Sequence, residues 1–277
     1  MQNRKGRKIE VNGISAVRSV LFLPASNPRA ISRAQETAAD LVILDLEDAV
    51  KPEDKDSARA AAVEAVASEW RMPVAIRVNG SGTEWHSLDV DAVARSQAHY
   101  VVLPRATSAH LARGVTEATG KPLLAMIETA AGVLAAAEIA SESAALIAGT
   151  NDLRADLGIR IGKDRGPIAA SLQMIVLAAR ATGIAVFDGV FNDLEDVDGL
   201  AAECAEARWL GFDGKSLIHP NQIGACNRAF SPNEQEIARA KRLIEAYGGG
   251  AERFEGQMIE RMHLEAAKRV VERAQTG

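Results

Sequence analysis

The sequence predicts a TIM (β/α)8 barrel with a C-terminal helical extension, and three observations lead to this fold class. Eight short segments are continuously apolar instead of alternating, which is typical of parallel strands buried on both faces. Alanine-rich stretches with helical spacing separate these segments, giving eight βα units in roughly 230 residues. No GxGxxG or GxxxxGK[ST] motif follows a strand, so the usual phosphate loops of open nucleotide-binding sheets are missing.

The predicted strands are rich in Val, Ile and Leu, which suit a buried sheet. In chain order they are SVLFLP (19–24), LVILDL (41–46), PVAIRV (73–78), YVVLP (100–104), PLLAMI (122–127), ALIAG (145–149), IAVFDG (184–189) and GFDGKSLI (211–218). The stretches between them predict the helices. We expect Asp54, Ser108 and Asp193 to be first-turn or capping residues.

The C-terminal part of the sequence predicts a separate helical segment. The glycines at 248–250 indicate a hinge, which divides the chain into a barrel over 1–247 and a hinge with a helical segment over 248–277. The last helix has an apolar side, formed by Ile259, Met262 and Val270 among others. This side must pack on the protein's own barrel or on a neighbouring subunit, and we expect the neighbouring subunit.

Composition indicates a cytoplasmic globular protein. No apolar run approaches the roughly 18–20 residues of a membrane span, and the N-terminal residues lack the apolar core of a signal peptide. A net charge of -5 and only 4% aromatic residues make nucleic acid an unsuitable partner. Cys204 and Cys226 have no zinc-site spacing, so we interpret both as buried small residues.

Polar residues follow nearly every predicted strand. In a barrel, the carboxyl ends of the strands form one rim, which is where barrel enzymes place their active sites. One cleft could therefore hold all of these side chains. They are Asp45, Glu47, Asp48, Arg77, Asn79, Arg105, Glu128, Asn151, Asp152, Asp188, Lys215 and His219.

Some of these residues also have a structural interpretation. Asp45 or Asp188 could form ion pairs with Arg77 or Lys215 at the end of the barrel, and Asp48 could begin the turn before Pro52. His219 precedes a proline and is predicted mainly to shape its loop.

Glu128 and Asp152 are the predicted metal ligands. Each follows a strongly apolar strand with no cation nearby in the sequence, and two unpaired carboxylates in one crevice repel unless a cation joins them. Carboxylate oxygens suit Mg²⁺, and no His or Cys set suits zinc. Arg77 and Arg105 would face this metal, which indicates an anionic substrate or a developing enolate.

Several long motifs in the same order carry a resemblance to a known family. They are RSVLFLPASNP, VILDLEDAV, IRVNG, MIETAAGVLAAAEIA, GTNDLRADLG, GFDGKSLIHPNQI and AFSPNEQEIARAKRLIEA. Over nearly its whole length the chain resembles the citrate lyase β-subunit-like family of the HpcH/HpaI aldolase superfamily, which is related to malyl-CoA and citramalyl-CoA lyases. The resemblance implies a barrel, usually a homotrimer or a hexamer, that acts on CoA or acyl-carrier thioesters.

The resemblance also implies roles for individual residues. Glu128 and Asp152 match Mg²⁺ ligands, and Arg77 matches an arginine that binds substrate oxygens and the enolate. Glu47 and Asp48 match acidic residues that orient the waters of the metal and this arginine.

Other matches concern CoA and the general acid/base. Arg18, Asn27 and Arg29 fall in the region that contacts CoA phosphates in relatives. Arg105 is a further candidate for substrate binding. Glu260 stands where relatives commonly place an Asp that a neighbouring subunit supplies as general acid/base.

The sequence departs from the family pattern at several positions. Relatives usually have Arg at Ala131, Glu or Ala at Asn151 and Lys at Arg105, and Glu260 is one methylene longer than the usual Asp. With these differences, the sequence does not identify the acyl group of the substrate.

The resulting hypothesis is a Mg²⁺-dependent carbon–carbon lyase that cleaves a malyl-, citramalyl- or citryl-type acyl-CoA to a keto acid and acetyl-CoA. The alternatives are a malyl-CoA thioesterase, a malate-synthase-like condensing enzyme and a CoA-thioester binder without turnover. An aldolase for free hydroxy-keto acids is disfavoured by the motifs LEDAV and GFDGKSLIHP.

Overall fold

A closed barrel of eight parallel strands forms the body of the protein, in a computed structural model that describes residues 11–160 and 162–276. The strands follow one another around the barrel in sequence order, and the last pairs with the first. All eight strands and the fold class are therefore confirmed. The strands are β1 Ser19–Pro24, β2 Leu41–Asp45, β3 Val74–Arg77, β4 Tyr100–Leu103, β5 Leu123–Ile127, β6 Ala145–Ala148, β7 Ala185–Asp188 and β8 Gly214–Leu217.

Both faces of the barrel sheet are buried. On β2, Ile43 belongs to the apolar cluster that fills the barrel, and Leu44 belongs to the layer between the sheet and the helices. On β3, Ala75 and Ile76 repeat this alternation. Because the side chains that face the barrel interior and those that face the helices are both apolar, these strands have the continuous apolar pattern seen in the sequence.

Helices surround the barrel and begin largely where the sequence indicates. They are α1 Pro28–Ala34, α2 Lys55–Val66, α3 His86–Arg95, α4 Ala109–Thr119, α5 Ala130–Leu134, α6 Ala136–Ala140, α7 Thr150–Asp156, α8 Ala169–Thr182, α9 Val197–Leu210, α10 Ile223–Phe230, α11 Glu234–Ala246 and α12 Arg261–Thr276. Short 3₁₀ turns lie at Val11–Ala16, Pro52–Asp54, Gly166–Ile168 and Pro220–Gln222.

The predicted capping residues behave differently from one another. The Ser108 hydroxyl accepts a hydrogen bond from the amide of Leu111 and caps α4, as predicted. Asp54 precedes α2 without a side-chain cap. Asp193 does not cap α9; its carboxylate accepts a hydrogen bond from Lys163, and Asp196 is the residue whose side chain caps the helix.

The C-terminal segment contains a hairpin that the sequence pattern did not predict. Strands β9 Glu252–Phe254 and β10 Gln257–Ile259 pair antiparallel, and they are too short and polar to give an apolar signal. Helix α12 packs on α11 of the same chain through a small apolar cluster that includes Leu243 and Ala267. Docking of the 248–277 segment on a neighbouring subunit stays a prediction.

No helix within residues 11–160 and 162–276 is both long enough and apolar enough to span a membrane.

Candidate active site

A cavity of about 360 Å³ opens at the carboxyl ends of the strands, on the rim that the sequence singled out. Residues of β1, β2, β3, β5, β6 and β8, of the segments that follow β2, β5, β6, β7 and β8, and of the first turn of α7 line it. The polar residues among them are Asp45, Asp48, Arg77, Glu128, Thr150, Asn151, Asp152 and Ser216.

Arg77 ends β3 and is held in one orientation by carboxylates. Its Nε and Nη2 atoms donate to the two oxygens of Asp45, both at 2.6 Å, and Nη1 lies 2.8 Å from Glu47 Oε2. The guanidinium also lies over the ring of Phe22, 5.3 Å from its centroid. Burial acts to lower the pKa of Arg77, but Asp45 and Glu47 outweigh it and the pKa is raised. The side chain is therefore a permanently charged, preoriented fork.

Asp45 explains why the buried strand β2 ends in carboxylates. In addition to binding Arg77, its oxygens accept hydrogen bonds from the backbone amides of Glu47 at 2.8 Å and Ala49 at 3.0 Å. A single buried carboxylate thus ends the strand, shapes the next turn and fixes Arg77 on the neighbouring strand. The predicted ion pair between Asp45 and Arg77 is confirmed.

Glu47 is a largely buried carboxylate beside this pair. Burial raises its pKa to about 8, and the charges of Asp48 and Glu128 act in the same direction, whereas Arg77 lowers it. Asp48 is more exposed and lines the cavity, with one oxygen 3.7 Å from Arg77 Nη1.

Glu128 lies just after β5 and is 2% exposed. Its Oε1 accepts a hydrogen bond of 2.6 Å from the Arg105 amide, whereas Oε2 is buried without a hydrogen-bond partner among the described residues. Burial raises the pKa of Glu128 to about 7, and the charge of Asp152 adds to this effect. The side chain also packs closely against the backbone of Gly149, where a Cβ would lie 2.2 Å from Oε2.

Asp152 is in the first turn of α7 and is half-exposed. Burial and the charge of Asp48 raise its pKa, although Arg105 Nη1 lies 3.8 Å from its carboxylate. Arg105 itself has a left-handed backbone (φ 48°), which is uncommon for a non-glycine residue, and its amide binds Glu128 in this conformation.

These two carboxylates fit Mg²⁺. Among the described residues, Glu128 Oε2 is a buried oxygen with no hydrogen-bond donor. Burial, together with the neighbouring carboxylates, raises the pKa values of Glu128 and Asp152, so a bound cation would favour their charged forms. The described residues contain no group of three or more His, Cys, Asp or Glu side chains arranged for a metal. Water and substrate would therefore complete the coordination, as Mg²⁺ usually requires.

The residues predicted to bind CoA are divided between the two ends of the barrel. Asn27 follows the carboxyl end of β1 and caps α1 by accepting from the Ala30 amide at 3.1 Å, and Arg29 is exposed in the first turn of this helix. Arg18 precedes β1 and so lies at the opposite end, where Asp40 binds it through Nε and Nη2. The structure thus corrects the placement of Arg18: it is not brought to the cavity.

Asp188 and Lys215 form the second ion pair that the sequence suggested, with Lys215 Nζ 2.7 Å from Asp188 Oδ2. Both are fully buried between the sheet and the helices, with Glu203 and Arg165 around them. They do not line the catalytic cavity. His219 Nδ1 accepts a hydrogen bond from the Asn221 amide and shapes its loop, as predicted.

Glu260 does not line the cavity of its own chain. It joins β10 to α12, where its amide donates to His263 Nδ1 at 3.0 Å. Its action in a neighbouring subunit stays a prediction.

Sequence reasoning missed two residues that shape the site. Gly149 leaves the space that Glu128 needs, and its only signal in the sequence is a glycine directly after an apolar strand. Lys55 begins α2 with nothing in the sequence around it to mark a role, yet it is buried and binds the loop that follows β2.

Comparison with known proteins identifies the family. The family model described as HpcH/HpaI aldolase/citrate lyase matches residues 18–220. The chain belongs to this family. It is 41% identical over 270 residues to a (3S)-malyl-CoA thioesterase of Cereibacter sphaeroides, covering 93% of this chain and 94% of that protein. It is 34% identical over 280 residues to the citrate lyase subunit beta of Leuconostoc mesenteroides, covering 93% of each chain.

A solved structure extends the comparison to three dimensions. The crystal structure of CitE from Mycobacterium tuberculosis in complex with magnesium, acetoacetate and coenzyme A matches with a TM-score of 0.83 and 34% identity. The match covers 95% of this chain and all of that one. The family is enzymatic and citrate lyase-like, and magnesium is present in structures of this relative.

Proposed function

We propose that the protein is a Mg²⁺-dependent carbon–carbon lyase that cleaves a 3-hydroxy-dicarboxyl acyl-CoA of the malyl, citramalyl or citryl type. One observation carries the proposal: a buried, rigidly held guanidinium lies in the same cavity as a buried carboxylate oxygen that has no hydrogen-bond partner within residues 11–160 and 162–276. Such a cavity can hold a cation and an anionic oxygen side by side, which is what an enolate-forming cleavage requires.

Each group in the cavity has a role in this reaction. Mg²⁺ on Glu128 and Asp152 would supply Lewis acidity toward the carboxylate and hydroxyl of the substrate. A carboxylate base takes the hydroxyl proton, and we propose Glu260 from an adjacent subunit for this step. The carbon–carbon bond then breaks, the hydroxyl carbon becomes a carbonyl, and the electron pair passes to the thioester as an enolate.

Arg77 stabilises the product enolate. Its guanidinium is already fixed by Asp45 and Glu47, so it needs no reorientation as the negative oxygen develops. The carboxylic acid formed when the base took the hydroxyl proton then returns this proton to the enolate carbon, which yields acetyl-CoA and restores the base. On the CoA side, Asn27 and Arg29 at the same end of the barrel are the proposed contacts for the phosphates, and Arg105 is proposed to bind the acyl portion.

Hydrolysis of malyl-CoA is the second candidate function. It is supported by the 41% identity to proteins named (3S)-malyl-CoA thioesterase, which is higher than the 34% identity to the citrate lyase subunit beta. Hydrolysis breaks the carbon–sulfur bond and needs an attacking water, but it does not need an enolate. The enolate-binding geometry therefore favours the lyase, and the names of the relatives favour the thioesterase.

Mass spectrometry of the products tests both candidates. Purified protein with Mg²⁺ is incubated with malyl-, citramalyl-, methylmalyl- and citryl-CoA, with EDTA as the control. Acetyl- or propionyl-CoA with an oxo acid supports the lyase, and free CoA with the intact hydroxy acid supports the thioesterase. Turnover that persists in EDTA contradicts the metal assignment, and binding without any product identifies a non-catalytic CoA-thioester protein.

The assembly is proposed to be a cytoplasmic homotrimer or hexamer with shared active sites. This can be tested by mixing two inactive variants, Glu128→Gln and Glu260→Gln, under conditions that exchange subunits. If Glu260 acts in a neighbouring subunit, mixed oligomers contain some sites with both wild-type residues and regain activity. Light scattering gives the number of subunits, and absence of recovery in confirmed mixed oligomers contradicts the shared site.

A further inference from the structure

Lys55 is a buried lysine whose contacts are unusual for a charged side chain. It is 6% exposed, and its ammonium donates to the carbonyl oxygens of Leu46 and Glu47, both at 2.7 Å, and to Asn79 Oδ1 at 2.6 Å. These three bonds use all three of its N–H groups. Within the described chain, no carboxylate oxygen lies within 4.0 Å of Lys55 Nζ.

The two carbonyls belong to the loop that controls Arg77. From one side, the Asp45 carboxylate binds the amides of Glu47 and Ala49. From the other side, Lys55 binds the carbonyls of Leu46 and Glu47. The peptide groups next to the Glu47 side chain are thus held at both ends, and this side chain lies 2.8 Å from Arg77.

Asn79 connects Lys55 to the strand that carries Arg77. Its side-chain amide donates to Asp89 Oδ2 at 2.6 Å, and its backbone amide donates to the same oxygen at 2.9 Å. Asp89 is fully buried and also binds Arg59 of α2 at 2.6 Å. Lys55 therefore joins the loop after β2 to the segment after β3 through a network with fixed geometry.

Burying the charged ammonium of Lys55 costs free energy, which the contacts of the ammonium must offset. Burial lowers the pKa of Lys55, whereas Asp45, Glu47 and Asp89 raise it, and the net shift is downward. The ammonium also lies 5.2 Å from the centroid of the Trp85 ring, a favourable distance for a cation–π contact. A methionine would fill similar space without burying a charge, so a directional role explains the lysine better than packing does.

We propose that Lys55 is a positioning residue that fixes the loop after β2 and, through Glu47 and Asp45, the orientation of Arg77 for catalysis. Its effect on turnover rests on the proposed function, but its effect on the loop does not. The effect on the loop and the effect on turnover are therefore measured in separate experiments. Lys55→Met is the test variant and Lys121→Met is the control. Lys121 is the matched control because it also donates to a loop carbonyl, Ser96 O at 3.0 Å, at the other end of the barrel.

Hydrogen exchange tests the loop without any substrate. In Lys55→Met, amides in a peptide spanning 46–54 are expected to exchange at least about tenfold faster than in the wild type, and a peptide spanning α10 is expected to be unchanged. Asn79→Ala removes one of the three acceptors and should give a smaller increase in the same peptide, so it serves if Lys55→Met does not fold. Unchanged exchange at 46–54 in the folded variant overturns the proposal.

Steady-state kinetics tests the effect on Arg77. We expect Lys55→Met to lower kcat by about 10- to 100-fold, with the KM of the acyl-CoA changed by less than about threefold, because the loop positions a group that acts in the transition state. Lys121→Met should keep kcat within about twofold. If kcat of Lys55→Met equals that of the control, the positioning role is wrong. If the wild type turns over no thioester, the proposed function fails while the exchange experiment still decides the role of Lys55.

Discussion

Two buried clusters of acidic and basic residues at strand ends have very different surroundings. The Arg77 cluster (Asp45, Glu47, Arg77 and Glu128) faces the barrel interior and the cavity, whereas the Lys215 cluster (Arg165, Asp188, Glu203 and Lys215) lies between the sheet and the helices.

The clusters also differ in their balance of charge. In the Lys215 cluster, Asp188 binds both Lys215 and Arg165. Burial and Arg165 act to lower the pKa of Lys215, but the carboxylates of Asp188 and Glu203 outweigh them and the pKa is raised. In the Arg77 cluster, one guanidinium binds Asp45 and Glu47, and Glu128 adds a third carboxylate. Burial, with added effects of neighbouring carboxylates, raises the pKa values of Glu47 and Glu128 to about 8 and about 7. The Lys215 cluster thus pairs its charges internally, whereas the carboxylate excess of the Arg77 cluster lies at a cavity that a cation and a substrate can enter.

Of the substitutions that test this difference between the two clusters, Glu128→Gln should have the largest effect on activity. Loss of one carboxylate charge should lower activity by more than about 100-fold and weaken Mg²⁺ binding together, because even indirect partners of a metal cost about 10- to 100-fold. Titration calorimetry with Mg²⁺ and the product assay measure the two effects. Glu142→Gln, in an exposed pair with Arg113, is the control and should change neither. Retained Mg²⁺ affinity in Glu128→Gln would show that the metal is held elsewhere.

Asp188→Asn should lower the stability of the protein and leave its activity nearly unchanged, in contrast to Glu128→Gln. It leaves Lys215 fully buried with one fewer carboxylate, which should lower the free energy of unfolding by about 3–5 kcal/mol. Turnover per folded molecule should change little, because neither residue lines the cavity. Urea unfolding and active-site-normalised kinetics measure this. Asp40→Asn, in the less buried pair with Arg18, should lose less stability. A large loss of turnover with normal stability would place the Lys215 cluster in the active site.

Arg77→Lys keeps the charge but loses the planar fork. We expect kcat to fall by about 10²- to 10³-fold, because a lysine cannot bind Asp45 through two atoms and face the enolate at the same time. Mg²⁺ binding should be retained, which distinguishes this variant from Glu128→Gln. Steady-state kinetics of Arg113→Lys, a surface arginine, provides the control. An Arg77→Lys enzyme with normal kcat would exclude a role for the fork.

The last effect concerns pH and the stability of the metal-free protein. Glu47 has a pKa of about 8 in the folded protein and an ordinary value of 4.5, so the folded state binds this proton more tightly than the unfolded state. The free energy of unfolding in EDTA should therefore fall as the pH rises from about 4.5 to about 8.

Glu47→Gln removes part of this fall. Above about pH 7 its unfolding free energy should decline less steeply than that of the wild type, and the part due to Glu128 should remain between about pH 4.5 and 7. Chemical denaturation at a series of pH values measures both curves. Parallel curves for the two proteins would mean that Glu47 is ionised in the folded state at neutral pH.

Much of the fold and of the site was predictable from the sequence. Continuous apolar runs at regular spacing indicate a closed parallel barrel, because its strands are buried on both faces. The polar residues after β2, β3, β5 and β6 indicate one rim, since the carboxyl ends of parallel strands meet there. The position of these polar residues at the strand ends was sufficient to select Arg77, Glu128 and Asp152 as site residues. The longer motifs then indicated the family.

Tertiary structure decided what these residues contact. Side chains alternate along a strand, so Asp45 and Arg77 share the inward direction of Ile43 and Ala75, whereas Asp188 shares the outward direction of Val186. When both faces of a strand are apolar, the sequence pattern carries no mark of which face is inward. The sequence therefore determined the barrel and its polar rim, and only the closed fold decided which buried charges face the cavity and which are paired behind the sheet.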